Sequence, residues 1–132
     1  MNGAKQVVII DDDDDDCSFL QLGLEQWRPG ISINRFVSGD EFINSQLWQE
    51  PHNKFNVILL ELILPGEDGL AWLRQFLAHE CCQGTPIVMY SCLGVDPELC
   101  KQAGAAEYLH KPCSMLELKQ VADRIWTNWL AD

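Results

Sequence analysis

Apolar residues along the chain alternate between short continuous runs and runs with helical spacing. Residues 6–10 (QVVII) are a short β-branched run that ends in acidic residues, which predicts a buried strand. Cys17, Leu20, Leu24 and Trp27 then follow three or four residues apart, which places them on one face of a helix. The same alternation recurs down the chain. It predicts further strands at residues 31–37, 55–60, 86–90 and 106–110.

Residues that cap or break helices mark the boundaries between these elements. Residues 38–41 and 114–117 both have the S-x-x-E pattern of a capping box. Asp96 precedes a proline that would occupy the first helical position, where proline is favoured. Pro29-Gly30 and Pro65-Gly66 break the chain between elements. Each strand is therefore followed by one helix.

Two of these helices have informative faces. Leu70, Leu73 and Leu77 share one predicted face of the third helix, and Trp72 and Phe76 on that helix are expected to serve packing. The last helix, which is expected to reach about residue 130, has two apolar stripes. The stripe predicted to cover the sheet comprises Leu118, Val121, Ala122, Ile125 and Trp129.

Five repeats of strand and helix predict one α/β domain over residues 1–132, with a parallel sheet and helices on both faces. The net charge of -11 argues against nucleic acid and against an anionic membrane surface as partners. Without a spanning apolar run or a signal peptide pattern, the chain is expected to be cytoplasmic. The six cysteines form no C-x-x-C pair, so they are expected to be reduced thiols.

Polar residues follow four of the five predicted strands. Asp11 and Asp12 follow the first strand, Glu61 the third, Ser91 the fourth and Lys111 the fifth. Sites in open parallel sheets form at the carboxyl ends of the strands, so these side chains are expected to converge. Carboxylates at this density suit Mg²⁺, and a lysine beside a hydroxyl suits a phosphoryl group.

Four segments resemble the response regulator receiver domain, in order and close to that family's spacing. They are VVIIDD (7–12), LLELILPGEDGL (59–70), PIVMYS (86–91) and AGAAEYLHKP (103–112). The resemblance implies a flavodoxin-like, doubly wound sheet with strand order 2-1-3-4-5. It also implies a role in a two-component phosphorelay, with a sensor histidine kinase or another signalling protein as partner.

The resemblance further implies a role for each matching residue. Asp11 and Asp12 would hold Mg²⁺ together with Glu61 and the carbonyl of Ile63. Ser91 and Lys111 would contact the phosphoryl oxygens. Tyr108 matches the switch aromatic of the family, although core packing is an equal alternative for it.

Three features depart from the family pattern. Glu61 stands where the family has its phosphate-accepting aspartate, and its side chain is longer by roughly the 1.5 Å of one C–C bond. The stretch from Ser91 to Lys111 is short, so the fourth helix should be short or reshaped. Leu93 and Ile63 should make the mouth of the site apolar. The remaining acids, residues 13–16, are expected to cap and favour a helix N-terminus, with a dedicated cation site as the alternative.

Three functions fit these observations, and we favour the first. It is a pseudo-receiver, an atypical module that is independent of phosphorylation or constitutively active-like and works by protein–protein interaction. The second is a conventional phosphoacceptor. The third is a haloacid-dehalogenase-like phosphatase that would use Asp11, Asp13, Ser91 and Lys111. The motif of those phosphatases has Thr or Val at the position of Asp15, so the chain is expected not to be an enzyme.

A second stripe on the last helix is a candidate partner face. Met115, Trp126 and Leu130 lie beside the stripe that covers the sheet, and one buried face does not need them. Tryptophan is enriched at interface hot spots. The stripe is therefore expected to bind a second copy of the chain or another protein, with a wide buried face as the alternative.

Overall fold

Five parallel strands form one sheet in the computed structural model, which describes residues 5–28, 30–49, 54–64 and 66–131. The strands are β1 (Lys5–Ile10), β2 (Ile31–Phe36), β3 (Val57–Leu60), β4 (Ile87–Ser91) and β5 (Glu107–His110). Their order in the sheet is β2-β1-β3-β4-β5, and every neighbouring pair is parallel. The predicted order is confirmed. The breaks predicted at Pro29 and Pro65 lie outside the described residues.

Helices follow the strands as the alternation predicts. They are α1 (Asp14–Trp27), α2 (Gly39–Ser45), α3 (Gly69–Ala78), α4 (Pro97–Gln102) and α5 (Met115–Ile125). Ser38, Asp96 and Ser114 cap α2, α4 and α5, and each side chain accepts a main-chain N–H of the first turn. With six residues, α4 is short, as the shortened stretch before Lys111 predicts.

The sheet separates two apolar layers because successive strand side chains point to opposite faces. Val8 and Ile10 pack on the side of α2 and α3, and Val7 and Ile9 pack on the side of α1 and α5. Helices α1 and α5 approach closely where Gly23 meets Leu118. A Cβ added to that glycine would come within 2.7 Å of the leucine side chain.

The buried face of α3 differs from the predicted one. Trp72, Leu73 and Phe76 are buried, whereas Leu77 is exposed. Phe76 packs against Phe42 of α2 with its ring edge toward that ring, so the aromatic residues serve packing as expected. The large rings occupy the buried face beside Leu73, and of the predicted leucine stripe Leu77 faces solvent.

The end of the last helix corrects the predicted partner face. After α5 the chain makes a π-helical turn, Trp126–Leu130, in which the Ala131 amide donates to the Trp126 carbonyl. One turn of π-helix contains an additional residue, so the inward position passes from Ile125 to Leu130 instead of Trp129. Leu130 is 1% exposed and belongs to the core. Of the predicted partner residues, only Met115 is clearly exposed.

A short antiparallel hairpin lies between β3 and α3. It pairs Ile63–Leu64 with Glu67–Asp68, and the sequence pattern did not predict it because two-residue strands have no periodicity. Among the residues that the structure describes, no helix has the length and apolar character needed to cross a membrane.

Candidate functional site

The polar residues predicted at the strand ends meet at one edge of the sheet. Main-chain hydrogen bonds extend the strand ladders by one residue beyond β1, β3 and β5 and fix these positions. The Asp11 amide donates to Phe36, the Glu61 amide to Ile10 and the Lys111 amide to Ser91. Asp11, Glu61, Ser91 and Lys111 are all buried, so their polar groups must be satisfied within the protein.

The ammonium of Lys111 is the centre of this cluster. Its Nζ lies 2.6 Å from Asp11 Oδ2, 2.7 Å from Asp16 Oδ2 and 2.7 Å from Glu61 Oε1. Burial alone would lower the pKa of Lys111, but the contacts with the three carboxylates outweigh it and raise the pKa above its ordinary value. Lys111 is therefore held as a charged group among an excess of negative charge.

Both oxygens of the Glu61 carboxylate are occupied. Oε1 accepts a hydrogen bond from Lys111, and Oε2 accepts from the amides of Leu62, at 2.6 Å, and Ile63, at 3.2 Å. The additional methylene lets the side chain fold back onto its own loop. The N-terminus of α3 supports this loop, because Gly69 approaches so closely that a Cβ there would come within 2.2 Å of the Glu61 carbonyl oxygen.

Asp11 is the most buried acid of the site. Its Oδ1 accepts a hydrogen bond from the Asp13 amide, and its Oδ2 forms a close ion pair with Lys111 Nζ at 2.6 Å. Burial raises the pKa of Asp11, and Lys111 only partly offsets this effect. Asp12, next along the chain, is exposed. The two predicted metal ligands thus differ in environment.

The donor chemistry of this edge fits a hard divalent cation. Mg²⁺ is usually held by one or two carboxylates and several waters, so it does not need a preformed cage. Asp11 places a buried carboxylate at this edge, paired with Lys111, and the exposed carboxylate of Asp12 follows it. Within the described ranges, no three His, Cys, Asp or Glu residues are grouped to hold a metal ion. The oxygens of Glu61, which was predicted as a ligand, are already taken by Lys111 and the two amides.

Ser91 and Tyr108 are linked through the loop that follows β4. The Ser91 hydroxyl accepts from the Leu93 amide at 3.2 Å. The Tyr108 hydroxyl donates to the Leu93 carbonyl, with a longer contact of 3.5 Å to the Ser91 carbonyl. Tyr108 is half-buried, and burial raises its pKa. Its ring therefore lies against the domain rather than in open solvent.

The site opens into a cleft of about 540 Å³. Ile63 lines it, and this side chain is 60% exposed. Leu93, on the loop after β4, is 44% exposed. Of the two residues predicted to form an apolar rim, Ile63 lines this cleft, whereas Leu93 lines a neighbouring cleft with Leu62 and Val95.

Sequence reasoning missed two residues of this region. Asp16 was assigned to the helix N-terminus, yet its side chain reaches Lys111. Arg35 of β2 donates to the Asp11 carbonyl and pairs with Asp14. A signal for Asp16 existed, because it stands directly before buried Cys17, at the border of the inward stripe of α1. Asp13 behaves as predicted and caps α1 by accepting the Asp16 amide.

Comparison with known proteins gives a family match over most of the chain. A sequence model of the family described as "Response regulator receiver domain" matches residues 7–123. "Two-component response regulator-like APRR9" of Arabidopsis thaliana is 34% identical over 83 residues, which are 61% of this chain and 18% of that protein. "Transcriptional activator protein PfeR" of Pseudomonas aeruginosa is 40% identical over 73 residues, 54% of this chain and 23% of that protein. The chain thus spans less than a quarter of either relative.

Solved structures share the fold along nearly the whole chain. The phosphorylated cyanobacterial phytochrome response regulator RcpA superposes with a TM-score of 0.81 at 21% identity, covering 98% of this chain and 96% of that one. A putative response regulator from Chloroflexus aurantiacus gives a TM-score of 0.73 at 26% identity, covering 95% and 99%. The Mn²⁺-bound form of response regulator Rcp1 gives 0.75 at 20% identity, covering 96% and 94%.

Proposed function

Because this chain belongs to the family of response regulator receiver domains of two-component systems, we propose that it is a pseudo-receiver that signals without phosphorylation of Glu61. In this proposal the Glu61 carboxylate stands in for part of the phosphoryl group. The domain then acts by binding another protein.

One observation carries this proposal. Glu61 Oε1 is bonded to Lys111 at 2.7 Å while Oε2 accepts two main-chain amides. The carboxylate at the acceptor position is therefore already paired with Lys111 and bonded to the main chain without a phosphate. In-line transfer depends on an acceptor oxygen placed toward the donor, and here both oxygens are turned toward the protein.

The mimicry by Glu61 is partial. A phosphoryl group carries about -1.5 to -2 charges and three strong acceptor oxygens, whereas a carboxylate carries one charge and two oxygens. Tyr108 is turned toward the domain and bonds to the Leu93 carbonyl, which supports a bias of Ser91 and Tyr108 by the constant charge of Glu61. This reading makes the module constitutively active-like.

The conventional phosphoacceptor is the second candidate. Asp11, Ser91 and Lys111 are present at the site, and Asp11 and Asp12 would hold Mg²⁺ with the Ile63 carbonyl, which would neutralise charge during transfer. Glu61 itself separates the two candidates, because a functional acceptor needs an oxygen directed toward the phosphoryl donor. The phosphatase alternative loses support, since Asp13 is used to cap α1.

The partner we propose is a protein, either a sensor histidine kinase, another signalling protein or a second copy of the chain. The net charge of -11 favours a basic surface on that partner and disfavours nucleic acid and anionic membranes. Met115 remains the exposed part of the expected face, whereas Leu130 is excluded from it by burial.

The first prediction tests the role of Glu61 with a small-molecule phosphoryl donor. Incubation with acetyl phosphate and Mg²⁺, followed by intact mass measurement, should leave the unmutated chain unlabelled. Glu61→Asp should gain one phosphoryl group at a rate at least about a hundredfold higher, because a misplacement of about 1 Å costs that much in transfer.

Glu67→Asp is the matched control for this experiment. It removes one methylene from an exposed glutamate in the adjacent hairpin and should leave the chain unlabelled. Stoichiometric labelling of the unmutated chain at Glu61 would overturn the proposed function and favour the conventional acceptor.

A further inference from the structure

Asp16 differs from the other acids at the start of α1. Its side chain is 33% exposed, against 84% for Asp14, and it turns inward across the end of the sheet. There Oδ2 accepts a hydrogen bond from Lys111 Nζ at 2.7 Å, a contact between residues 95 positions apart. Helix capping does not need this contact, because the side chain of Asp13 already caps α1.

The contact with Asp16 reduces the number of N–H donors that Lys111 has available for a phosphoryl group. An ammonium has three donors, and three carboxylates surround this one at 2.6 to 2.7 Å. Each of the three donors therefore faces one carboxylate, that of Asp11, Asp16 or Glu61. A phosphoryl oxygen would have to displace one of them before it reached Lys111.

The charge at this point adds to the effect. Three carboxylates around one ammonium leave an excess of two negative charges in a largely buried place, and Asp12 stands at the entrance. An incoming dianion is repelled by that excess, and repulsion is stronger here than in water because the surroundings are less polarisable. Shortening Glu61 alone would leave Asp16 bonded to Lys111.

We infer that Asp16 is a positioning residue that holds Lys111 away from a phosphoryl group and is a second determinant, beside Glu61, of the phosphate-independent state. The inference rests on the proposed function, because it explains how the same site dispenses with phosphate. Asp16 acts through Lys111 and does not itself meet a phosphoryl donor.

The test compares Asp16→Ala with Asp15→Ala, both in the Glu61→Asp background. The two substitutions remove one acidic side chain from the same helical turn, so their effects on net charge and on the helix dipole match. With acetyl phosphate and Mg²⁺, the Asp16 variant should be labelled about tenfold faster than Glu61→Asp alone, the factor expected for freeing one charge-assisted hydrogen bond. The Asp15 variant should match Glu61→Asp. Equal rates for the two double variants count against the inference.

A second measurement needs no phosphoryl transfer. Lys111 acylation by an N-hydroxysuccinimide ester, read by peptide mass on chains that retain Glu61, should be several-fold faster in Asp16→Ala than in Asp15→Ala. A merely structural role of Asp16 would alter thermal stability without this selective change at Lys111. If Lys111 reacts equally in both variants, the inference is wrong whatever the labelling shows. Labelling of the unmutated chain would instead overturn the proposed function and leave this comparison intact.

Discussion

At the scale of single residues, the site is a place where charge is arranged at a cost in stability. Asp11 is almost fully buried, and burial raises its pKa above the ordinary value of 3.8 in spite of Lys111. A raised acid pKa means that the folded chain favours the protonated form more than the unfolded chain does. The stability from this group is complete below pH 3.8 and is lost as the pH rises through the folded-state pKa. At neutral pH, the ionised carboxylate therefore lowers stability.

The prediction that follows concerns Asp11→Asn. The amide oxygen can still accept the Asp13 N–H, and Lys111 keeps Asp16 and Glu61 as partners, so no charge is left alone. The amide NH2 then faces the Lys111 ammonium, and this contact between two donors offsets part of the gain. The free energy of unfolding at pH 7 should rise by on the order of 1 kcal/mol, and the gain should disappear toward pH 3. Denaturant unfolding across this pH range measures it.

Lys111→Met is the opposing control. It leaves buried carboxylates without their cation and should lower the free energy of unfolding by about 3–5 kcal/mol at pH 7. If Asp11→Asn destabilises the chain at pH 7, the carboxylate of Asp11 is a net stabilising group and the argument from burial fails.

Residue-level prediction from the sequence succeeded where chain topology determines position. Asp11 and Glu61 follow neighbouring parallel strands, and Lys111 follows β5 at the same carboxyl edge, so their approach could be expected from the order of strands and helices alone. Asp16 could not be placed in the same way, because its position depends on the rotation of α1 about its axis. The bending of Glu61 onto the Leu62 and Ile63 amides likewise depends on a hairpin that has no sequence periodicity.

At the scale of elements, the π-helical turn after α5 connects the last helix to strand β5. The turn brings Trp129 to the Glu107 carboxylate, which is 7% exposed, and its Nε1 donates at 2.9 Å. Arg124 and Asn128 bond to the same carboxylate. The additional residue of the turn thus satisfies a buried charge on an edge strand while Leu130 fills the core in place of Trp129.

Trp129→Phe tests this connection. The substitution removes the indole N–H donor and keeps an aromatic ring. A hydrogen bond to a charged group contributes about 1.5–3 kcal/mol to the free energy of unfolding. We expect the free energy of unfolding to fall by at least about 1 kcal/mol more than in Trp126→Phe. Trp126 is the matched control because it lies in the same turn against Arg28, and its indole makes no hydrogen bond to the described part of the chain. Equal losses for both variants would contradict the role given to the Glu107 bond.

The same turn explains why the partner face could be predicted only in part. Helical spacing of 3.6 residues places Leu130 beside Trp126 and Met115, and it places Trp129 in the core. The one-residue insertion of the π-helical turn places Leu130 in the core and leaves Trp129 half-buried at its edge, which helical spacing does not predict. The capping boxes at Ser38 and Ser114 were predictable because they are local contacts over three residues.

At the scale of the whole molecule, the sheet and its two layers follow from the alternation of strand and helix signals. Each strand carries side chains for both layers, and the four buried cysteines complete them. Cys17 packs on the α1 and α5 side, and Cys81, Cys82 and Cys100 pack on the other. Burial, together with the negative charge of Asp11, raises the pKa of Cys17 to about 11. The use of cysteine as a small apolar residue was predictable for these four.

Thiol reactivity therefore reports on the integrity of the whole domain. Cys92 and Cys113 are exposed, and Cys92 lines the cleft of the site. With an aromatic disulfide reagent, two of the six thiols should react rapidly in the folded chain. The other four should react at least about a hundredfold more slowly, because they need opening of the core. All six should react in denaturant.

The double variant Cys92→Ser/Cys113→Ser is the control, and its folded chain should show no rapid phase. Cys81 gives the most stringent comparison, because the hydrogen bond with the Cys82 thiol lowers the pKa of Cys81 while burial keeps the reagent away from its sulfur. A third rapid thiol identified as Cys81, Cys82 or Cys100 would show that the α3 side of the core opens independently, and a total of four in denaturant would mean that Cys81 and Cys82 form a disulfide.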